Sequence, residues 1–202
     1  MRRRDALATL AASAAVGLAG CAGEPGESDP TPVDEAFDGE PTRPACTVDS
    51  ETISVEVGEE TREFETASTK PYPEPPESTD EESVADYVTA FEEAYLTHRI
   101  LCERSDDDHV LSIGFSAERT DAFDRGETAW LVFLRYAGGA SRGVDDGALW
   151  EADLGYSQAL YAVDDTGAAR VAFEEPRDPS RAEIRSDAPD PLTDGEFVDR
   201  FG

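Results

Sequence analysis

The spacing of apolar side chains changes along the chain, and this change limits the possible folds most strongly. Between residues 80 and 102, large apolar side chains recur every three or four positions, which is typical of an amphipathic helix. From residue 109 onward the period is two, which is typical of half-buried strands. The chain therefore predicts one long helix followed by several strands. The helix residues with this spacing are Val84, Tyr87, Val88, Phe91, Tyr95 and Leu96.

Prolines and acidic residues mark the start of the helix. Residues 71–76 contain four prolines, which remove backbone donors and favour an extended connector. Thr79 stands three residues before Glu82, which is the spacing of a capping box, and acidic side chains in a first turn favour the helix dipole. We therefore expect a helix over residues 80–102, the longest of the chain.

The strands predicted from the period of two lie on both sides of this helix in the sequence. Residues 128–136 are apolar on both faces, as in a central strand. The Gly-rich residues 138–147 are expected to form a loop. Strands, one helix and then a meander predict an α+β fold, with the long helix packed on a curved antiparallel sheet. The predicted strands are residues 52–57, 61–66, 109–116, 128–136, 150–163 and 169–173.

Composition divides the chain into a folded domain with a tail at each end. Residues 21–44 are mostly Gly, Glu, Pro, Ser, Asp and Thr, with Val33 and Phe37 as the only large apolar side chains. Such a segment buries too little surface to offset its backbone entropy, so we predict a flexible acidic tether. Residues 175–202 are acidic, contain prolines and are predicted to be a disordered tail. The α+β domain is then residues 45–174.

Residues 1–20 have the organisation of an export signal. Arg2, Arg3 and Arg4 precede a stretch of small apolar residues that is too short to span a bilayer as a helix. The arginines with this stretch resemble a twin-arginine signal peptide, and Leu18-Ala19-Gly20-Cys21 resembles a lipobox. The resemblance implies cleavage before Cys21 and a lipid on its thiol. We therefore expect an extracytoplasmic lipoprotein that is anchored to the cell membrane by lipid on Cys21.

The charge of the chain excludes nucleic acids as partners. The sequence has 46 acidic and 17 basic residues and a formal net charge of -29, so its field repels phosphates. Sixteen of the basic residues are Arg, and Lys70 is the only lysine. A carboxylate-rich surface with almost no ammonium groups keeps a protein hydrated in concentrated salt, which favours a halophilic source.

Two cysteines remain after Cys21 is assigned to lipid. Cys46 lies where the predicted domain begins, and Cys102 lies at the predicted end of the long helix. Outside the cytoplasm an even pair of cysteines favours a disulfide, which would hold these two points together. Two separately buried thiols are the alternative.

Motifs for catalysis are missing from the sequence, and we predict no catalytic residue, no metal and no cofactor. The chain contains neither His-Glu-x-x-His nor Cys-x-x-Cys. Its two histidines, His98 and His109, are expected to have structural roles. The acidic run at residues 106–108 lacks the spacing of a calcium loop and is expected to be solvated surface.

A helix followed by a curved, aromatic-rich meander resembles the cystatin-like and nuclear-transport-factor-2-like folds over residues 46–174. The lipobox, the tether and residues 72–76 before a capped helix also look like a group of uncharacterised haloarchaeal lipoproteins. Neither resemblance implies a reaction. Two functions stay open: a lipid-anchored domain that binds or scaffolds a partner, and a small-molecule or enzymatic pocket between helix and sheet. The side chains that could converge in such a pocket are Tyr95, His98, Trp130, Tyr136, Trp150 and Tyr156.

Overall fold

The computed structural model describes residues 31–103, 109–126, 129–144 and 147–202. The predicted signal peptide (1–20), Cys21 with the first part of the tether (21–30) and the acidic turn at 106–108 lie outside these residues. Within the described ranges, no helix is both long enough and apolar enough to cross a membrane.

The described chain forms seven strands and three helices, preceded by a short 3-10 turn at Asp34–Ala36. The predicted strands lie at their expected positions, but the three longest continue beyond the apolar runs from which they were predicted. The elements in chain order are β1 (Thr52–Val57), β2 (Glu60–Glu65), α1 (Glu81–Cys102), β3 (His109–Asp124), β4 (Trp130–Gly143), β5 (Gly147–Val163), β6 (Gly167–Ala172), α2 (Arg181–Asp187), α3 (Pro191–Asp194) and β7 (Glu196–Arg200).

The strands make one curled, mixed sheet, and the molecule has an α+β fold as predicted. The strand order is β2-β1-β5-β4-β3, with β6 paired to β5 and β7 paired to β6. Neighbouring strands are antiparallel except β1 and β5, which run parallel where Val55 and Glu56 meet Gly147 and Ala148. The predicted antiparallel sheet is wrong in this one pairing, because β1 docks on the start of β5 after a long connection through α1.

Helix α1 packs across one face of the sheet and forms the main core with it. All the side chains of the predicted apolar face lie in this core, and Val84, Val88 and Phe91 have no exposed surface. On the sheet side the core includes Val132 and Leu134 of β4, which are also fully buried. Burial of such side chains contributes about 1.5–3 kcal/mol each, so this interface fixes the helix on the sheet.

Asp80, and not Thr79, caps the N-terminus of α1. Its carboxylate accepts hydrogen bonds from the backbone N–H groups of Glu82 and Ser83, at 3.1 and 3.0 Å. Hydrogen bonds from the Ser78 hydroxyl and the Ser83 backbone lower the pKa of Asp80 to about 2. The predicted capping box on Thr79 is therefore wrong by one residue, because an Asp next to the helix satisfies the same orphan N–H groups.

The C-terminal segment is ordered, which corrects the prediction of a disordered tail over residues 175–202. Ile184 of α2 packs with Phe133 and Leu160 on the sheet face opposite α1. Phe197 and Val198 of β7 are buried where β7 pairs with the edge of β6. The segment is ordered because it covers an apolar sheet face and a strand edge that would otherwise face water.

The tether is also docked in its described part. Val33 is 2% exposed, and its backbone N–H donates to the Asp164 carboxylate at 2.8 Å. The ring of Phe37 stacks on Phe197 with centroids 5.6 Å apart. The flexible tether predicted for residues 21–44 is therefore wrong from about residue 32 onward, because its two large apolar side chains find partners at the C-terminal edge of the domain.

The predicted Gly-rich loop over residues 138–147 is mostly strand. β4 continues to Gly143, and the ladder with β5 shifts register between Gly138 and Gly139. A Cβ atom added to Gly138 would lie 3.5 Å from side-chain atoms of Leu96 on α1 and Leu154 on β5. These distances are ordinary van der Waals contacts, so the strand passes directly beneath α1 at this position.

Cys46 and Cys102 form a disulfide, as predicted, with their Cα atoms 5.7 Å apart. The bond joins the segment that precedes β1 to the last residue of α1. It closes a loop with a sequence separation of 56 residues, which removes about 4 kcal/mol of unfolded-chain entropy in the loop-closure model.

The position of the helix cap can be tested by two neighbouring substitutions. Asp80→Ala removes the acceptor of two backbone N–H groups, so we expect a lower midpoint of urea unfolding. Thr79→Ala is the matched control and should leave the midpoint unchanged, since the Thr79 side chain makes no cap and its carbonyl still accepts from the Trp130 indole. A larger loss for Thr79→Ala than for Asp80→Ala would contradict this assignment.

Candidate functional site

A buried ion pair lies at the centre of the interface between α1 and the sheet. Glu92 of α1 has no exposed surface, and the Arg170 side chain on β6 is 6% exposed. The Arg170 guanidinium donates through Nε and one terminal nitrogen to the two Glu92 carboxylate oxygens, at 2.8 and 2.7 Å. Such a two-point pair fixes both the distance and the orientation of the two elements.

Three tyrosines complete the surroundings of the ion pair. The Tyr161 hydroxyl donates to the Glu92 carboxylate from β5, and the nearby Tyr136 hydroxyl of β4 also lowers the pKa of that carboxyl. The Arg170 guanidinium lies 4.3 Å from the centroid of the Tyr95 ring, within cation–π range. One helix and three strands therefore meet at a single carboxylate.

The charges of this network hold Glu92 in its ionised form. Burial alone would raise the pKa of Glu92, but the charge and hydrogen bonds of Arg170, with those of the tyrosines, outweigh burial and hold the pKa below its ordinary value. Burial and the neighbouring Glu92 charge raise the pKa of both Tyr161 and Tyr136. A fully buried carboxylate that accepts hydrogen bonds from Arg170 and Tyr161 is a structural centre and has no access to a substrate.

The structure separates the six side chains predicted to share a pocket. Tyr95 and Tyr136 lie together at the ion pair, but His98 lies further along α1, stacked on Tyr72. Trp130 is partly buried, and its indole N–H donates to the Thr79 carbonyl at 2.8 Å near the start of α1. These four side chains fill space between helix and sheet, and they do not surround one common cavity.

Trp150 and Tyr156 lie on the surface of the sheet, 43% and 50% exposed. The Arg142 guanidinium lies 5.1 Å from the Trp150 ring, and the Arg135 guanidinium lies 4.5 Å from the Tyr156 ring. Tyr156 is on the face opposite Tyr136, because Tyr136 pairs with the next residue of β5 and neighbouring side chains alternate. Trp150 and Tyr156 lie outside the core because side chains of β5 alternate between the two faces of the sheet and the strand extends beyond the part that α1 covers.

A cleft of about 520 Å³ opens between the C-terminal turns of α1 and the sheet strands β4 and β5. Its volume falls in the range of small-molecule sites. Tyr136 lines the cleft and also lies beside Glu92, so one wall of the cleft adjoins the buried ion pair. The lining residues are Leu96, Arg99, Ile100, Glu103, Tyr136, Gly138, Arg142, Leu154 and Ser157.

The cleft is lined by polar side chains and by a smaller apolar part made of Leu96, Ile100 and Leu154. Arg99 comes from α1 and Arg142 from β4, and Glu103 is the one carboxylate among the lining residues. In the part of the chain that the structure describes, Arg99 has no carboxylate within salt-bridge distance. The Arg99 guanidinium beside the apolar side chains of Leu96, Ile100 and Leu154 fits a small organic anion with an apolar part.

Sequence reasoning missed both charged residues of the ion pair. Glu92 falls within the apolar stripe of α1, four residues after Val88, and Arg170 falls within the apolar run of β6. A single charge inside an apolar pattern is costly unless it is paired, so two such charges of opposite sign are a signal for a buried pair. The cleft gave no comparable signal, because its lining comes from elements far apart in sequence.

Comparison with known proteins identifies no relative of this chain. No family model matches it, and no curated protein and no solved structure matches it. The function is therefore inferred from the residues and the geometry described above.

The ion pair can be tested by removing one charge and then both. Glu92→Gln leaves Arg170 buried without a counter-charge, so we expect a loss of about 3–5 kcal/mol in the free energy of unfolding, measured with guanidinium. The double variant Glu92→Met, Arg170→Met should lose less than Glu92→Gln alone, because no unpaired charge remains. If the double variant loses as much free energy of unfolding as the single variants Glu92→Met and Arg170→Met lose together, the two residues are not coupled.

Glu93→Gln is the matched control, since Glu93 is the next residue of α1 and pairs with Lys70 at the surface. Surface pairs contribute about 0–1 kcal/mol, so its effect should be small.

The pKa of Glu92 is lower in the folded chain than its ordinary value of 4.5. The pair therefore stabilises the fold fully above that value and loses its effect as the pH falls below it. The Glu92→Gln variant should lose this part of the acid sensitivity.

Proposed function

We propose that the protein is a lipid-anchored extracytoplasmic domain that binds a small organic anion in the cleft between α1 and strands β4 and β5. The observation that carries the binding function is the cleft itself, where the Arg99 guanidinium lies beside the apolar side chains of Leu96, Ile100 and Leu154. The proposed location at the membrane rests on the lipobox that ends at Cys21. The acidic, lysine-poor composition supports a salt-rich environment.

The disulfide supports an oxidising compartment. Disulfides persist outside the cytoplasm and are rare in reducing compartments. The bond between Cys46 and Cys102 therefore agrees with export, although it says nothing about which export route the chain takes. The twin-arginine route is proposed from the arginines at the start of the sequence alone.

The docked N-terminal segment supports a position of the domain close to the membrane. Nine residues lie between Cys21 and Thr31, where the described chain begins. Even a fully extended chain of this length reaches only about 35 Å. The same segment contacts Asp164, just after the end of β5, so this end of the sheet would face the membrane.

The cleft would then open away from the membrane. Leu154 lines the cleft nine residues before the end of β5 at Val163, which is about 30 Å along the strand. A ligand would reach the cleft from the outer solution, as a receptor for small molecules requires. The proposed resemblance to cystatin-like or nuclear-transport-factor-2-like folds is compatible with a ligand site between helix and sheet.

Binding is favoured over catalysis by the surroundings of the ionisable groups. Glu92 is buried and ionised against Arg170, and the cleft presents two guanidinium groups, one carboxylate and one serine hydroxyl. Guanidinium groups hold anions well but do not exchange protons near neutral pH. An enzymatic pocket stays the alternative, and turnover of a bound anion would favour it.

The anchor is tested by changing the cysteine of the lipobox. Cys21→Ser removes the thiol that would carry lipid, so we expect the protein to leave the membrane pellet and appear in the soluble fraction or as an uncleaved precursor. Ser28→Ala is the control outside the lipobox and should stay in the pellet. If the Cys21→Ser protein is cleaved and still pellets after a carbonate wash, lipid on Cys21 is not the anchor.

The cleft is tested with the fluorescent anion 8-anilinonaphthalene-1-sulfonate, which joins an apolar body to a sulfonate. We expect one site per chain, with binding by Arg99→Gln about tenfold weaker because a charge-assisted hydrogen bond is lost. Arg62→Gln removes an exposed guanidinium of β2 and should bind as the unmodified protein does. Equal binding by the two variants would show that the cleft does not hold the anion.

A further inference from the structure

The disulfide and His98 form a cluster of three potential metal ligands. The sulfur atoms of Cys46 and Cys102 and a ring nitrogen of His98 all lie within 4.8 Å of one another. His98 and Cys102 are four residues apart on α1 and therefore project from the same side of the helix. Cys46 reaches them from the segment that precedes β1.

The hydrogen bonds of His98 define which ring nitrogen is available. Nε2 lies 2.7 Å from the carbonyl oxygen of Lys70, which can only accept, so Nε2 carries the proton of the neutral ring. Nδ1 then holds a free lone pair. The His98 side chain is more than nine-tenths buried, and Nδ1 has no hydrogen-bond partner. An acceptor left unpaired in the interior is costly unless something else uses its lone pair.

The surroundings of His98 match those of a metal-binding histidine. Such a histidine usually donates its second ring N–H to a carbonyl or carboxylate, which fixes the tautomer and the orientation of the ring. Lys70 supplies that carbonyl, and the Tyr72 ring stacks on the imidazole with centroids 4.8 Å apart. The ring is therefore held in one orientation, with Nδ1 left as the nitrogen that can bind a cation.

We propose that reduction of the disulfide converts this cluster into a Cys2His site for a thiophilic divalent cation such as Zn²⁺. Two thiolates and one imidazole are ligands that zinc prefers, and water would complete the tetrahedron. With Zn–S bonds of about 2.3 Å, two sulfurs on one ion lie about 3.8 Å apart. Cα atoms that are 5.7 Å apart allow this spacing with small side-chain rotations.

In the experiment, a phosphine supplies the two electrons that reduce the disulfide. The phosphine attacks one sulfur and breaks the S–S bond, and water then supplies the oxygen of the phosphine oxide and the protons of two thiols. The cation binds the two thiolates and releases both thiol protons to solvent. A metal bridge thereby takes the place of the covalent bond between Cys46 and α1.

The site would be used where thiols are reduced, before export. Afterwards a disulfide oxidant would take two electrons from the thiolates and become two thiols itself, so that the Cys46–Cys102 bond forms and the cation is released. This use rests on the proposed function, because it needs passage between two compartments. The site itself does not, because it depends only on the three ligands and their geometry. Failure of membrane anchoring would therefore leave the metal prediction unchanged.

The test uses the full-length chain with Cys21→Ser, so that Cys46 and Cys102 are its only thiols. After reduction with tris(carboxyethyl)phosphine in molar KCl, we expect one Co²⁺ per chain with thiolate-to-cobalt charge-transfer absorption and the visible bands of tetrahedral cobalt. Zn²⁺ should displace the cobalt. The unreduced protein should show no charge-transfer band, and its carboxylates cannot produce one, so weak surface binding is distinguishable.

His98→Gln is the decisive variant, and its fold is checked by circular dichroism with the disulfide intact. We expect reduced His98→Gln to bind Co²⁺ at least about tenfold more weakly and to lose the tetrahedral spectrum. His109→Gln changes the other histidine and should bind as the parent chain does. Absence of the charge-transfer band in the reduced parent chain, folded or unfolded, or equal affinity of His98→Gln, would overturn the proposal.

Discussion

The two-point ion pair between Glu92 and Arg170 is the interaction on which the arrangement of the fold depends. A carboxylate without solvent contact survives only because the Arg170 guanidinium of β6 and the Tyr161 hydroxyl of β5 satisfy it. The helix can therefore take only one register on the sheet. Apolar packing of α1 alone would tolerate small sliding movements, whereas a hydrogen-bonded charge pair does not.

The two ends of the described chain are docked at the same edge of the sheet. Arg43 pairs with Asp199 of β7 at 2.7 Å, and the Tyr87 hydroxyl of α1 donates to the same carboxylate at 2.9 Å. Phe37 and Phe197 stack beside this pair. Segments at opposite ends of the sequence thereby cover the edge of β6 and shield it from other chains.

The long helix, the disulfide and the positions of most strands could be predicted, because each depends on a local period or on a pair of cysteines. The docked ends could not, because short segments such as Glu196–Arg200 become strands only when an edge is present to pair with. A capping box at Ser180 and Glu183 did mark α2, but it lies among prolines and charges. The cleft and the His98 cluster depend on tertiary contacts that no local pattern records.

The docked segment before Cys46 has a mechanical consequence under the proposed anchoring. Tension from the membrane would first reach Val33 and Phe37 and would peel them from the domain one contact at a time, because they are held by few bonds. Release of residues 32–45 would lengthen the chain by about 45 Å without opening the core. The pull would then meet the disulfide at Cys46, which passes the load directly to the end of α1. The segment would therefore extend under tension until the disulfide bears the load.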